Sequence, residues 1–273
     1  MSTHASADHV TDPQTNACSC GSDHDHGPTG ADIVQSLGKG FAVLSILIPV
    51  LAVVLLLMGL ILTPSSPLVI LLGLTLGLAH IAVVIALSAV TQKISGDLAN
   101  SPTLLVARVA LEEVLRLAVV LIALVMFTAE PRAALGLWVG LGAMAVWAVL
   151  TTAQVVFARK RILKPGEWSK NTVLSVLNEK ISVKRAMLMR FLDVAAVLLF
   201  QVGATVLVAA APIMTAATCV LALASGFSTL VVQRYSSQRR ARSPWVWAPI
   251  GIAVLVAVLA ASLVLVPTAL AIH

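Results

Sequence analysis

Charge is scarce in this chain, at 11% of 273 residues. A soluble domain of this length carries about a quarter, so the shortage excludes an ordinary water-soluble fold and leaves the membrane class. Cysteine is scarcer still. Three residues are too few for a disulfide framework, with Cys18 and Cys20 in a polar tail and Cys219 inside a hydrophobic block. The period-two alternation of strands is also missing, which leaves the helix, able to satisfy its own backbone, as the expected spanning element. Residues 1–39 lack the basic, apolar and small-residue regions of a signal peptide, so the first hydrophobic block is expected to stay as an anchor. No P-loop, dinucleotide fingerprint, H-E-x-x-H or nucleophile elbow occurs. An enzyme would have to work at the inner interface with Glu112, Glu113 and Asp193, where nothing places a nucleophile or metal beside them. The expectation is a protein that is not an enzyme.

What the chain has in abundance is apolar sequence: 59% hydrophobic residues and a mean hydropathy of +1.00. It falls into blocks longer than ~18 residues, enough to cross a hydrocarbon core of about 30 Å. Seven spans are expected, at 40–62, 67–90, 105–128, 133–158, 187–210, 212–232 and 245–270. Proline marks the short turns at Pro64 and Pro67, Pro131 and Pro212, where it ends one helix and can start the next. Residues 1–39 form an acidic tail expected to be disordered, and 40–273 an all-α domain of seven transmembrane helices.

Basic residues set the direction. With the N-terminus in the cytoplasm, the inner segments hold Lys39, Lys93, Arg108, eight basic residues from Arg159 to Arg185, then Arg234, Arg239, Arg240 and Arg242. Arg116 and Arg190 lie near the inner ends of their helices, and Arg132 alone falls outside. The positive-inside rule therefore predicts a multi-pass protein of the cytoplasmic (inner) membrane with its C-terminus outside. Residues 108–116 also align with 185–193, sharing Arg, Leu and Leu; in Leu/Ala/Val-rich sequence such a match arises more readily by chance than by parallel duplication.

The intramembrane charges gather near the inner boundary. Glu112 and Arg116 are four apart with the acid first, the favourable order on a helix, and Arg190 and Asp193 are three apart. In the aligned segments Glu113 matches Arg190 and Arg116 matches Asp193, so two interhelical ion pairs are expected if the third and fifth spans touch. Arg116 is close enough to the headgroups to snorkel. These groups read either as a structural clamp or as an ion-responsive site, since ionisable groups within spans mark pathways when they line a cavity. His80, the one histidine inside a span, falls in the inner half at a depth shared with Gln154, Ser225, Ser228 and Thr229. Together they define a candidate cavity open to the cytoplasm, although a lone histidine bonded to the next helix is the commoner case. Gly73-Leu74-Thr75-Leu76-Gly77 and Gly136-Leu137-Trp138-Val139-Gly140 are faces for close helix approach. Trp138, Trp245 and Trp247 suit interfacial anchors.

The connection at 159–185 is the longest. Beyond Arg159, Lys160, Arg161 and Lys164, Ser169 suits a helix cap, and Val173, Leu174, Leu177 and Ile181 recur at helical spacing. An amphipathic helix on the inner leaflet is expected, its basic residues worth about 1 kcal/mol each on anionic headgroups. Topology already accounts for the basic charge, so nucleic acid is not an expected partner. Membrane lipids are, and a membrane-protein complex can be. In the tail, Cys18-Ser19-Cys20-Gly21-Ser22-Asp23-His24-Asp25-His26 offers two thiolates and two imidazoles. Cys18, Cys20, His24 and His26 suit Zn²⁺ or Cu(I), without the separated ligand pairs of a zinc finger.

Two functions stay open. The first is an accessory or scaffold subunit of a membrane assembly, resting on boundary charges, small-residue faces and missing catalytic groups. The alternative is a small transporter or metal-handling protein, with the tail capturing cation and an inner-leaflet polar cavity as the path.

Overall fold

The computed structural model describes residues 29–63, 68–94, 102–179, 182–235 and 243–270. Its first helix opens on a reciprocal cap. The Thr29 hydroxyl accepts from Asp32 N at 3.3 Å, and Thr29 N donates to the Asp32 carboxylate at 3.0 Å. Helix α1 then runs over Gly30–Leu62, straight through Pro49. It begins well before residue 40, where the tail was expected to end. The cap and the helical spacing of Ile33 and Leu37 explain the extra turns, because both side chains are buried against Ile162.

The remaining helices are α2 (Leu68–Ile94), α3 (Pro102–Met126), α4 (Arg132–Ile162), α5 (Glu167–Glu179), α6 (Val183–Ala210), α7 (Met214–Arg234) and α8 (Ala248–Leu270), with a 3₁₀ turn at Pro244–Trp247 before α8. Local chemistry sets the ends. Pro102 takes the first position of α3, Pro131 precedes α4, and Ser182 Oγ accepts from Arg185 N at the start of α6. Among the described residues every regular element is helical, and six segments are long and apolar enough to cross a membrane: α1, α2, α4, α6, α7 and the run Pro244–Leu265. The sequence suggested seven. α3 differs because Arg108, Glu112, Glu113 and Arg116 interrupt it, leaving a purely apolar stretch only from Leu117 to Met126.

Helices α4 and α6 form the centre and are buried along most of their length. Helices α1 and α2 pack on α4, α8 packs on α6, and α3 leans on α2 and α7. Glycine makes the closest crossings possible. A Cβ on Gly142 would stand 2.8 Å from Gly73 Cα, and Cβ atoms on Gly136 and Gly140 would stand 2.8 Å from the Cα atoms of Val206 and Val202. Both small-residue faces noted in the sequence are thus used inside the bundle, one between α2 and α4 and the other between α4 and α6. The outer helices turn Val54, Ile61, Ile85, Val125 and Val258 outward, a continuous apolar exterior of the kind that lipid covers.

Helix α5 is the amphipathic element of the long connection, but its apolar face divides. Trp168, Val173 and Val176 pack onto Ile33, Leu37 and Ile162, while Leu174 and Leu177 are exposed. The start also differs from the expected one. Ser169 sits inside the first turn and donates back to Gly166 O at 2.9 Å, so Gly166 rather than Ser169 opens the helix. Arg159, Lys160 and Arg161 occupy the last turn of α4, where positive charge meets the negative end of the helix dipole. Arg161 lies over the Trp168 ring at 5.4 Å. Trp138, expected at an interface, is buried instead and donates to Thr63 O at 2.7 Å. Trp245 and Trp247 are exposed.

Candidate functional site

The charges that interrupt α3 recur at helical spacing, which puts them on the face turned toward α6 and α7. Arg108 Nε donates to Glu112 Oε1 at 2.8 Å. One turn deeper, Arg116 Nη1 donates to Glu113 Oε1, and Arg116 Nη2 donates to Gln201 Oε1 of α6 at 2.8 Å. The second oxygen of Glu113 accepts from Thr218 Oγ1 of α7 at 2.7 Å. The guanidinium also lies 5.7 Å from the centroid of the Phe200 ring, within cation–π range. One buried ion pair therefore ties three helices together.

This arrangement corrects three expectations. Glu112 pairs with Arg108 and Glu113 with Arg116, rather than Glu112 with Arg116. Among the described residues no ion pair joins Glu113 to Arg190 or Arg116 to Asp193. Arg116 does not snorkel: it is 1% exposed and the largest fully buried side chain. It stands about ten residues, or ~15 Å at the helical rise, from the far end of α3. Burial wins because Glu113, Gln201 and Phe200 supply inside the bundle the charge, acceptor and π face that water would otherwise provide.

Beside this pair lies a cavity of about 710 Å³, walled by α2, α3, α6 and α7 with single residues from α4 and α8. Its charged lining is Arg108, Glu112, Glu113, Arg116, Arg190 and Asp193, three residues of each sign. The α6 wall repeats Arg190, Asp193, Val197 and Gln201 down one face, and α7 adds Ser225 and Thr229. Leu105, Val109, Phe200 and Leu230 make much of the remainder apolar. Five of the six residues singled out for a polar cavity thus meet in one place.

The sixth, His80, stands outside this lining. It is fully buried on α2, and its Nε2–H donates to Glu112 O at 3.0 Å, joining α2 to α3 behind the cavity wall. Of its depth-mates, Ser228 is buried with its hydroxyl on Ser225 O, and Gln154 is exposed away from the cavity. Cys18, Cys20, His24 and His26 lie outside the described residues. Among the described residues no group of three His, Cys, Asp or Glu side chains could hold a metal ion. Lys164 and the three basic residues at the end of α4 are exposed and separate from the cavity.

Four partners were not singled out in the sequence: Gln201, Thr218, Phe200 and Trp147. Gln201 carried a readable signal, since an amide within an apolar span, in phase with Arg190 and Asp193, marks the same helix face. Thr218 and Phe200 carried none, because a hydroxyl or ring in a span is commonplace. Trp147 lies midway along α4, far from the interfaces where tryptophan is usually read. Its Nε1–H is buried without a hydrogen-bond partner, as is Nε–H of Arg116. Compared with known protein families, with curated proteins and with solved structures, the chain has no significant match.

Proposed function

We propose that the chain is a seven-span protein of the cytoplasmic membrane that takes a small ligand into the cavity between α2, α3, α6 and α7, as a transporter or membrane-embedded binding protein rather than an enzyme. α3 is the seventh span, the N-terminus lies in the cytoplasm and the C-terminus outside. The observation that carries the reading is the Glu113–Arg116 pair, held fully buried on a cavity wall. A buried ion pair is often no more stable than apolar side chains of the same volume, so its presence beside a cavity points to a ligand rather than to folding alone. Two of the three features behind the accessory-subunit reading are taken up within the chain itself. Its charges are turned into the cavity and its glycine faces are occupied within the bundle.

Solvent access tests the proposal. In a chain whose native cysteines are replaced, Ser225→Cys and Val197→Cys place thiols on the lining, and Val258→Cys places one on the outward face of α8. In inside-out vesicles a membrane-impermeant maleimide should label the two lining positions and leave Val258→Cys unlabelled. Lining thiols that stay unreactive from the cytoplasmic face would mean that no polar ligand reaches the cavity by this route, and the proposal would fall.

A further inference from the structure

The charges on the cavity wall divide into a closed set and an open one. On α3, Arg108 donates to Glu112 at 2.8 Å and Arg116 donates to Glu113, so four of the six lining charges are neutralised where they stand. The other two belong to α6. Arg190 and Asp193 are three residues apart, which sets both on the face of α6 that carries Val197 and Gln201 along the cavity. Both are exposed, and neither makes an ion pair or hydrogen bond with a described residue. Spacing is not the reason, because the α3 pairs close at separations of three and four. The wall therefore presents one open cation and one open anion, ~4.5 Å apart along the helix axis at its ordinary rise.

Such a wall selects by charge. A lone anion drawn to Arg190 meets the Asp193 carboxylate one turn away, and a lone cation drawn to Asp193 meets the Arg190 guanidinium, a like-charge penalty in either case. A molecule carrying both charges a few bonds apart meets neither penalty. Its ammonium donates to Asp193 and its oxyanion accepts from Arg190. The cavity, at about 710 Å³, is within the range of small-molecule sites and larger than such a head needs. Leu87, Leu105, Val109 and Leu230 line it as well and would bury a hydrocarbon portion. We infer that the cavity takes a zwitterion with an apolar body, held by its ammonium on Asp193 and its oxyanion on Arg190. A free aliphatic amino acid and the head of a phosphoethanolamine lipid share this chemistry, and the experiment separates them. This inference rests on the ligand-binding reading above.

The test uses the full chain in a neutral glycoside detergent, scoring each probe by the rise in Tm and by protection of Val197→Cys, one turn from Asp193, against maleimide at neutral pH. The probes are free leucine, isocaproate (leucine without its ammonium), isoamylamine (leucine without its carboxylate), glycine and lysophosphatidylethanolamine. Leucine or the lysolipid should stabilise and protect, the first result assigning a free solute and the second alone a lipid head. The two single-charge relatives should need at least about tenfold higher concentration than leucine, since each lacks one charge-assisted contact. Glycine should also be weaker, for want of a body to bury. Arg190→Gln and Asp193→Asn alter exposed, unpaired side chains, so Tm without probe should stay put. The first should leave leucine no better than isoamylamine, and the second no better than isocaproate. Protection by either single-charge relative as strong as by leucine and the lysolipid would overturn the zwitterion while leaving the ligand-binding reading in place. So would a freely labelled Val197→Cys that no probe protects. Glycine acting as well as leucine would overturn the apolar body. Zwitterion binding unchanged in both variants would overturn the site on α6. Lining cysteines that stay unlabelled before any probe is added would remove the underlying reading itself.

Discussion

Replacing Arg116 by leucine strips the positive partner from a carboxylate that stays buried between α3 and α7. Glu113 is 3% exposed and Arg116 is 1% exposed, so water cannot compensate either charge once it stands alone. Breaking such a pair from one side costs about 3–5 kcal/mol, and Glu113→Leu should cost a similar amount for the mirrored reason. The double variant differs. It removes both charges together and leaves the Gln201 carbonyl without its partner, at about 1–3 kcal/mol before the relief of desolvation is counted, while the Thr218 hydroxyl keeps its bond to Thr215 O at 3.1 Å. The two single costs therefore should not add: the double should be no worse than the costlier single, a coupling of at least about 3 kcal/mol. Equilibrium unfolding in mixed micelles, read by far-UV circular dichroism, gives the four corners of the cycle. Additive costs, or a loss below about 1 kcal/mol for Arg116→Leu, would show that the guanidinium reaches the headgroups, and the buried site would be refuted.

The glycine contacts predict a contrast between neighbouring substitutions. Gly142→Ala drives a methyl into the backbone of α2 at Gly73 and should cost about 1–3 kcal/mol, whereas Gly251→Ala, with nothing within 4 Å, should be neutral or stabilise α8 by up to about 1 kcal/mol. Thermal unfolding of the two variants checks this, and equal effects would mean that α2 and α4 do not cross there. His80→Leu removes the donor to Glu112 O and should cost about 1–3 kcal/mol. Because His80 is behind the wall, maleimide labelling of Ser225→Cys should persist in that variant. Its complete loss would show that the histidine helps to hold the cavity open.

Legibility in the sequence followed physical range. Spans, their order and the glycine faces are local or periodic properties, and Gly73, Gly136 and Gly140 all turned out to sit at helix crossings. The amphipathic helix was visible too, but the division of its apolar face was not. Val173 and Val176 turn to α1 because α1 extends to meet them, and that extension depended on a Thr29–Asp32 cap inside a segment whose composition resembles a disordered tail. The cavity residues were recognisable as ionisable groups in spans. Their pairing was not, since Glu112 and Glu113 are adjacent and both have an arginine within one turn. The choice is made by Gln201 and Thr218, which are distant in sequence and offer a carbonyl to Arg116 and a hydroxyl to Glu113.

The same choice bears on how α3 can enter a membrane. Four charges in the first half of a helix would each cost about 2.5–3.5 kcal/mol at the bilayer centre if inserted singly. They are not single. Arg108 with Glu112, and Glu113 with Arg116, are closed within α3 itself, at spacings of four and three. The helix therefore carries two neutralised pairs before any other helix arrives, and its apolar half from Leu117 to Met126 leads the way. Gln201 and Thr218 then decide which pairing α3 keeps once the helices meet. Intrahelical pairing is what would let a segment too charged for an apolar span serve as the proposed seventh one. It also accounts for one of the three buried polar atoms without a partner, Arg116 Nε: the two terminal nitrogens face the acid and the amide, and the third nitrogen is left over.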